Sequence, residues 1–473
     1  MVRKFLASYS SNGKSDTLTL RLFDLLNKRQ KALSNKDCAM ELFGKDEMNR
    51  IRVLKSRLKH KLIDALVTDI VVSNIEMDED SKTAIILKKK LIQCHLLYFS
   101  KKGNTKLISS YLNEIIAKAA EQELYSVLIE AYHLKKLYEG FRKGMDCYDE
   151  LDQLHHKAIN QYTAFTAIVN DYYKVLLKYR LSPGKKEITS FLHAATKRAT
   201  KNVLISESNI GAYYLNILRY ALCIEKHELE AAVAIMENQI VLLNNSKAAY
   251  RKDRLGASYD YLCQSNIKLG KYTDAAEYAA KGKTCFKKGE LNYSVAEELE
   301  FRSYLYGGNI SQAEKLIKNM RKTYKDKMDA HRLSTHKFFL ANLYFIKKDF
   351  SRCKRLLSEN DYEFKKNRTG WEFNLRVLYI MCLIEQQKND EAYDKYYNLN
   401  RLITRYKDAG EQLNPRNNLI LQLLKRWLSH GGNKSLAKMK QSGLLEKISQ
   451  NKNRWDPLGS EIIDFHDWFK NQL

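Results

Sequence analysis

The chain has 473 residues and a formal net charge of +26, and only three of its residues are proline. Because proline interrupts helices, this scarcity favours helix along most of the chain and predicts an all-α fold. The apolar runs are too short to span a bilayer and the basic N-terminus lacks the apolar segment of a signal peptide, so we expect a cytoplasmic protein with no membrane partner.

The excess of basic residues admits two interpretations. A strongly basic protein commonly binds acidic partners or nucleic acid. Lys and Arg are also strong helix formers, so a basic surface can follow from helical composition without any polyanionic ligand. The charge alone leaves the class of partner open.

The first 80 residues are predicted to form three helices. The first carries Leu18 and Leu22 on one face. Ser34 and Asp37 can cap a short second helix that ends at Gly44. A longer third helix begins near residue 46, and its apolar stripe consists of Ile51, Leu54, Leu58, Leu62, Ala65 and Leu66.

The third helix is unusually basic. Six basic residues occur in it with no acid among them until Asp64: Arg50, Arg52, Lys55, Arg57, Lys59 and Lys61. One hypothesis is a helix-turn-helix whose basic helix contacts nucleic acid in the major groove. The alternative is an N-terminal cap, residues 1–80, in which these side chains lay their stems along the apolar seam and keep their charges in water.

Residues 81–205 read as irregular helical hairpins. The predicted helices span about residues 84–99, 107–120, 125–138 and 148–159. A break around Pro183, which is followed by glycine, separates this region from more regular repeats.

The clearest unit is one helical hairpin between Leu255 and Phe286. In its first half, apolar residues recur at three- and four-residue steps: Leu255, Tyr259, Leu262, Cys263 and Ile267. A polar turn at Gly270 interrupts this pattern, and Thr273 can cap a second helix. The second helix has a stripe of mostly small residues: Ala275, Tyr278, Ala279, Gly282, Cys285 and Phe286. The small residues allow the two helices to approach closely.

The hairpin recurs with a mean period of 40 residues. With Ala275 as the anchor, the equivalent positions in the other copies are Ala232, Ala313, Cys353 and Ala392. Two positions before the last four anchors stand the predicted N-caps Thr273, Ser311, Ser351 and Asp390. Ser311 and Glu314 have the spacing of a capping box.

The residues Leu262, Gly270, Tyr272, Ala275 and Ala279 resemble the tetratricopeptide repeat, a helix-turn-helix unit. The resemblance covers about residues 209–408, although the period is longer than the usual one. It implies a right-handed superhelical solenoid of antiparallel helix pairs, in which each unit buries its apolar stripe against its neighbours. We assign the regular repeats to residues 206–410.

Residues 411–473 are predicted to be capping helices. A helix should run from Pro415 to a stop at Gly431, and another should end near Ser449. The last helix should start at Pro457 and close the exposed apolar end of the repeats. Its apolar stripe would be Leu458, Ile462, Phe465 and Phe469.

Motifs for catalysis are absent from the sequence. There is no phosphate-binding glycine loop and no metal-binding H-E-x-x-H. The histidine groupings, His155 with His156 and His331 with His336, lack a usual metal-ligand spacing. The eight cysteines form no C-x-x-C pair and are predicted to be free thiols in a reduced compartment. We therefore expect no enzyme activity, no cofactor and no metal.

Superposing the repeats places a column of polar residues along the first helices. Gln264, Arg302 and Asn342 stand eleven positions before their anchors, and Asp260 and Glu298 stand one turn earlier. The tetratricopeptide resemblance implies that such residues line a concave groove and contact an extended peptide or a helix. The alternative is that they form hydrogen bonds and ion pairs between adjacent repeats.

Three classes of function follow. The leading one is a non-catalytic scaffold or adaptor that binds a protein or peptide, and an acidic ligand would suit the basic chain. The second is a ligand-sensing regulator whose basic N-terminal helices bind nucleic acid. An enzyme with an unrecognised site is the third.

Overall fold

The structure, a computed structural model, consists of helices joined by turns and loops in the residues that it describes. It describes residues 3, 6, 14–28, 33–68, 79–99, 105–181, 185–325, 328–358, 363–364, 368–408, 410, 412–429, 443–450 and 453–472. Helices make up 84% of the described residues, which contain no strand, so the predicted all-α class is confirmed.

The chain divides into two compact units, Met1–Thr163 and Ala164–Leu473. The helices up to the division are α1 Lys14–Lys28, α2 Asn35–Phe43, α3 Met48–Thr68, α4 Glu79–Phe99, α5 Thr105–Glu121, α6 Tyr125–Lys135 and α7 Met145–Leu181. A π-helical turn, Lys136–Gly140, and one helical turn, Phe141–Lys143, connect α6 to α7. The division falls within α7. The four ranges assigned from the sequence stay predictions.

The second unit continues with helices in close succession. They are α8 Lys185–Ser206, α9 Asn209–Lys226, α10 Leu229–Asn245, α11 Lys252–Lys268, α12 Tyr272–Thr284, α13 Leu291–Tyr306, α14 Ile310–Tyr324, α15 Ala330–Ile346, α16 Phe350–Ser358, α17 Phe373–Glu385, α18 Asn389–Asp408, α19 Pro415–Ser429, α20 Leu444–Ser449 and α21 Phe465–Lys470. A π-helical turn, Arg368–Glu372, precedes α17. From α8 to α19, each helix packs against the next one in the sequence.

Three helices of the first unit pack as the apolar pattern predicts. The buried core of α1 to α3 contains Leu22, Cys38, Ala39, Ile51, Leu54 and Leu58. The side chains of Ala65 and Leu66, which were assigned to the same stripe, lie outside the described residues.

The ends of α2 follow directly from its sequence. The hydroxyl of Ser34 accepts a 3.2 Å hydrogen bond from the amide of Asp37, and the Asp37 carboxylate accepts a 3.0 Å bond from the amide of Ser34. Gly44 has a φ of +69° and donates its amide to the carbonyl of Met40. Each bond satisfies a backbone group that a helix end leaves unpaired, so both predicted caps are confirmed.

One backbone turn recurs in five hairpins of the second unit. The residue five positions before each anchor adopts the left-handed conformation: His227, Gly270, Gly308, Lys348 and Gln387. The amide of the next residue donates to the carbonyl five positions earlier, at 2.8–2.9 Å in all five turns. The carbonyl of the residue that follows the left-handed position accepts a hydrogen bond from the anchor's amide, at 3.0 Å in each turn. The predicted register therefore corresponds to one repeated backbone conformation.

The predicted caps of the second helices are wrong. The second helix begins one residue before the expected N-cap, as at Tyr272 and Ile310, and neither Lys271 nor Asn309 caps it with a side chain. Ser351 and Asp390 likewise lie inside α16 and α18. At α16 the side chain of Asp349, the residue before the helix, accepts the amide of Arg352 at 3.1 Å, so the cap there lies two residues before the predicted Ser351.

The predicted capping box is absent because Ser311 lies inside α14, and Glu314 is bound elsewhere. Its carboxylate accepts hydrogen bonds of 2.6 Å from Lys318 in the same helix and from Lys347 at the end of α15. This charge-assisted pairing connects neighbouring hairpins.

The five anchors are fully buried. Ala232, Ala275, Ala313, Cys353 and Ala392 each have 0% of their surface exposed. A small residue at this position lets the second helix lie close to the first. All eight cysteines are free thiols, as expected.

Two predicted helix boundaries are wrong. The segment assigned to residues 148–159 is part of α7, which extends over 37 residues. The last helix begins at Phe465 and not at Pro457, because Pro457 belongs to a tight turn. The predicted stop at Gly431 lies outside the described residues. No helix in the described part of the chain has the length and apolar character needed to cross a membrane.

Candidate functional site

Glu298, one member of the predicted column, connects two neighbouring hairpins. Its carboxylate on α13 accepts a 2.8 Å hydrogen bond from Arg332 and a 3.0 Å bond from His336, both on α15. His336 is fully buried. The Glu298 side chain is therefore engaged within the protein.

Asp260 lies on α11 and is 7% exposed. Its Oδ1 has no hydrogen-bond partner, and a β-carbon added at Gly282 on α12 would lie 2.9 Å from that oxygen. Burial raises the pKa of the Asp260 carboxyl to about 8, because no neighbouring charge compensates for the loss of water. The carboxyl is directed between two helices and away from solvent.

Asn342 and Gln264 differ in their surroundings. Asn342 is buried and donates a 2.8 Å hydrogen bond to the carbonyl of Phe338 in its own helix. Gln264 is half-exposed on α11, one turn before Lys268. Of the five column residues, Gln264 is the one that offers a side chain to solvent without an observed bond in the described structure.

Arg302 contacts a distant part of the chain. Its guanidinium donates 2.6 Å and 3.0 Å hydrogen bonds to the carbonyl oxygens of Pro457 and Gly459. The cationic carbon also lies 4.9 Å from the ring centre of Phe339, which supports the guanidinium from α15. Arg302, the one cationic residue among the five column residues, is thus bonded to the C-terminal segment.

The segment that Arg302 holds is a loop of residues 454–460, here called the Asp-Pro loop. Arg416 on α19 closes its base, because one guanidinium binds the carbonyl of Asn453 at 2.8 Å and the carboxylate of Glu461 at 2.6–2.7 Å. The indole of Trp455 also donates to the carbonyl of Glu461 at 2.8 Å.

The tip of the loop is a tight turn from Asp456 to Gly459. The amide of Gly459 donates to the carbonyl of Asp456 at 2.9 Å, and the Asp456 carboxylate accepts the amide of Leu458 at 3.2 Å. Pro457 fits the second position of such a turn because its φ is fixed, and glycine is favoured at the fourth position. The sequence Asp-Pro-Leu-Gly therefore specifies this conformation locally.

Four side chains of the second unit receive the loop, and we call them the docking face: Lys268, Arg302, Tyr306 and Asn374. Lys268 donates to the Asp456 carboxylate at 2.8 Å, the Tyr306 hydroxyl donates to the carbonyl of Pro457 at 3.0 Å, and the Asn374 amide donates to the Ser460 hydroxyl at 2.9 Å. They lie on α11, α13 and α17, which are the first helices of three hairpins.

The docking face also sets the charge of Asp456. Burial acts to raise the pKa of Asp456, but Lys268 and the amide of Leu458 outweigh it, so the pKa lies below its usual value. The loop is therefore bound with its carboxylate ionised. The ring of Tyr306 adds an edge-to-face contact with Trp455, at 5.1 Å between ring centres.

The residues that follow the loop are firmly embedded. Ile462, Phe465, Trp468 and Phe469 are buried in the apolar core shared by α13 to α19. The indole of Trp468 donates to Glu385 on α17 at 2.7 Å. This C-terminal anchor, residues 461–472, contrasts with the loop, whose residues other than Pro457 are half-buried or exposed.

The sequence interpretation found Arg302 but missed Lys268, Tyr306, Asn374 and Arg416. Periodicity could not reveal them, because their partner lies outside the repeats and far along the chain. The Asp-Pro-x-Gly pattern was the available signal, since it marks a turn and argues against a helix starting at Pro457.

The six basic residues of α3 have unequal surroundings. Arg50 pairs with Glu47 at 2.9 Å, and Lys55 donates to Asn35 at 2.8 Å. Lys61 is half-buried, and Arg52, Arg57 and Lys59 are exposed. The last three show no ion pair in the described structure.

The side chains that could bind metals are dispersed. In the described residues, no three of His, Cys, Asp and Glu converge to form a potential metal site. His155 lies beside His133 and His156, with ring centres 5.6 Å and 6.0 Å away. Burial, followed by nearby positive charges, lowers the pKa of His155.

Comparison with known proteins identifies no family. No protein-family model fits the sequence, and no curated protein is significantly similar to it. The resemblance to a repeat family therefore rests on the residues of this chain alone.

Proposed function

We propose that this protein is a non-catalytic scaffold that binds a protein or peptide segment on the surface of its first helices. The resemblance to tetratricopeptide repeats in Gly270, Tyr272 and Ala275 supports a superhelical solenoid with such a surface. A partner would bind by contacts that span several repeats, as extended ligands do on repeat proteins.

One observation carries the proposal. Arg302 binds two backbone carbonyl oxygens of a chain segment more than 150 residues away. Backbone carbonyls are present in every polypeptide, so this contact recognises the conformation of a segment and not one particular side chain. Lys268 adds selectivity for a carboxylate. This combination suits peptide recognition better than catalysis, which would need a nucleophile or a base directed into a cleft.

Gln264 provides the experimental access to this surface. It is half-exposed and lies one turn from Lys268 on the same helix, so a larger charged side chain there would obstruct a bound partner without disturbing the core. Glu277 on α12 is an exposed residue of a second helix and serves as the matched control position.

The test is affinity purification from the native host with wild type, Gln264→Arg and Glu277→Arg, each with and without nuclease. We expect a polypeptide that co-purifies with wild type and Glu277→Arg after nuclease treatment and is lost with Gln264→Arg. A partner that disappears on nuclease digestion, or that all three proteins retain equally, would refute the proposal.

A further inference from the structure

The Asp-Pro loop and the C-terminal anchor differ in how they are held. Four large apolar side chains fix the anchor in the core. The loop is held by polar contacts with the docking face, by the ring contact between Trp455 and Tyr306 and by the half-buried side chain of Leu458, and the side chain of Asp456 remains 55% exposed. Each charge-assisted bond contributes only modestly to stability, because water can replace either partner. The loop can therefore leave the docking face while the anchor stays in the core.

The base of the loop would survive such a separation. Arg416 binds Asn453 and Glu461 on either side of the loop, so these ends stay together when residues 454–460 move. The groups left behind are the ammonium of Lys268, the fork of Arg302, the hydroxyl of Tyr306 and the amide of Asn374. Every one of them is a hydrogen-bond donor.

We propose that the docking face is a binding site for a turn-forming segment of the type aromatic-Asp-Pro-x-Gly in a partner protein, and that the chain's own loop is a tethered competitor for it. The proposal rests on the proposed scaffold function. It names the chemistry of the partner and a means of regulation.

Each element of this motif has a recognised counterpart. The acidic side chain binds Lys268, the two turn carbonyls bind Arg302, and the aromatic ring contacts Tyr306. A segment without proline would pay a larger entropy cost to form the turn, since proline fixes one dihedral in advance. The site thus selects a preformed turn with a negative charge at its start.

The tether makes the competition strong. A short intramolecular segment is present at an effective concentration on the order of millimolar. A free peptide of the same sequence, added at micromolar concentration, should therefore bind wild type poorly. Removing the loop's recognition residues should expose the site.

The test uses the full chain and a fluorescent synthetic peptide with the sequence of residues 453–461. In one variant Trp455, Asp456, Pro457 and Leu458 are all replaced by Ser, and the anchor is unchanged. Fluorescence anisotropy should show this variant binding the peptide at least about ten-fold more tightly than wild type. Adding Arg302→Lys should reduce that affinity about ten-fold or more, because lysine lacks the planar fork.

Arg376→Lys in the loop-replaced background is the matched control. Arg376 is a half-exposed arginine on α17 that pairs with Glu372 and has no observed contact with the loop. It should leave peptide affinity unchanged. If the four-residue variant does not fold, as judged by circular dichroism, Asp456→Ala with Leu458→Ala replaces it and should give a smaller gain in the same direction.

The inference is overturned if the folded variants bind the peptide no better than wild type, or if Arg302→Lys leaves binding unchanged. Neither measurement requires the natural partner. If the peptide does not bind as expected but capture of a partner depends on Gln264, the competing role of the loop is refuted and the scaffold function stands. If the peptide binds as expected but no polypeptide is captured, the scaffold function is refuted instead.

Discussion

The guanidinium of Arg302 and the carbonyl oxygen of Pro457 are joined by a 2.6 Å hydrogen bond, although the two residues lie 155 positions apart. This bond connects a helix in the middle of the repeats to a turn near the C-terminus. The same guanidinium binds the carbonyl of Gly459, so one side chain holds two carbonyl groups of the turn.

Arg302→Lys should loosen the Asp-Pro loop. Lysine keeps the charge but loses the fork and the contact with Phe339, which costs about 2 kcal/mol locally. We expect amide hydrogen exchange in residues 455–460 to accelerate about 30-fold, since each 1.4 kcal/mol corresponds to ten-fold. Arg376→Lys is the control and should leave exchange there unchanged. Equal protection in both variants would contradict the assigned role of Arg302.

The repeated left-handed turn predicts that replacing its glycine lowers the stability of the protein in two hairpins, whereas introducing glycine raises it in two others. Gly270→Ala and Gly308→Ala should each lower the free energy of unfolding by about 1 kcal/mol, because a β-carbon is strained at positive φ. Lys348→Gly and Gln387→Gly should raise it slightly, since relief of strain outweighs the greater chain entropy of glycine.

Chemical denaturation measures these changes. Lys347→Gly is the control, because Lys347 has a φ of −73°, so glycine there relieves no strain, raises the chain entropy and removes the ion pair with Glu314. It should destabilise the protein. Stabilisation by Lys347→Gly to the same extent as by Lys348→Gly would show that the left-handed turn is not the cause.

These turns illustrate which parts of the fold the sequence could reveal. The anchors recur at a regular spacing and are small, so the hairpins and their register could be predicted. Gly270 and Gly308 mark two of the five left-handed positions. His227, Lys348 and Gln387 could not be recognised, because residues other than glycine adopt a positive φ only occasionally and their types do not mark these positions.

The column of polar residues was predicted from register, but the partners of its members were not. Glu298 finds Arg332 and His336 on the next first helix, a contact between neighbours that superposition can suggest. Arg302 finds Pro457, and no local pattern links residues that far apart. Long-range contacts of this kind depend on where the chain returns after the repeats end.

Asp260 should make stability depend on pH. Its pKa of about 8 in the folded protein is above the value of 3.8 that applies when it is exposed. The folded state therefore keeps a proton that the unfolded state releases, and stability falls as pH rises from about 4 to about 8. Relative to Asp260→Asn, the free energy of unfolding should fall by about 1.4 kcal/mol per pH unit within this interval.

Urea denaturation at pH 5, 6, 7 and 8 tests this dependence. Glu277→Gln removes an exposed carboxyl from α12 and should give a curve parallel to that of wild type. A constant difference between wild type and Asp260→Asn across these pH values would show that the buried carboxyl does not retain its proton.

Nucleic-acid binding by α3 should be weak and non-specific. Arg52, Arg57 and Lys59 are exposed, but basic residues lie on both edges of the buried stripe and do not form one projecting face. Counterion release would then supply nearly all the binding free energy, and affinity should fall steeply with salt. Selection from a random DNA and RNA pool near physiological salt should enrich no motif.

The contrary outcome has a clear signature. An enriched motif that remains bound at high salt and is lost when these three residues become alanine would favour the nucleic-acid regulator. Lys315→Ala with Lys322→Ala, which removes exposed charges from α14, is the control for a general change in charge.

The most direct test of the scaffold function is site-specific photo-crosslinking in the native host. A photoreactive phenylalanine derivative replaces Gln264 on the first-helix surface in one strain and exposed Lys315 on a second helix in another. We predict a discrete, nuclease-resistant crosslink to another polypeptide from position 264 and none from position 315. Crosslinks of equal yield from both positions, or a product from position 264 that nuclease destroys, would contradict the proposed scaffold function.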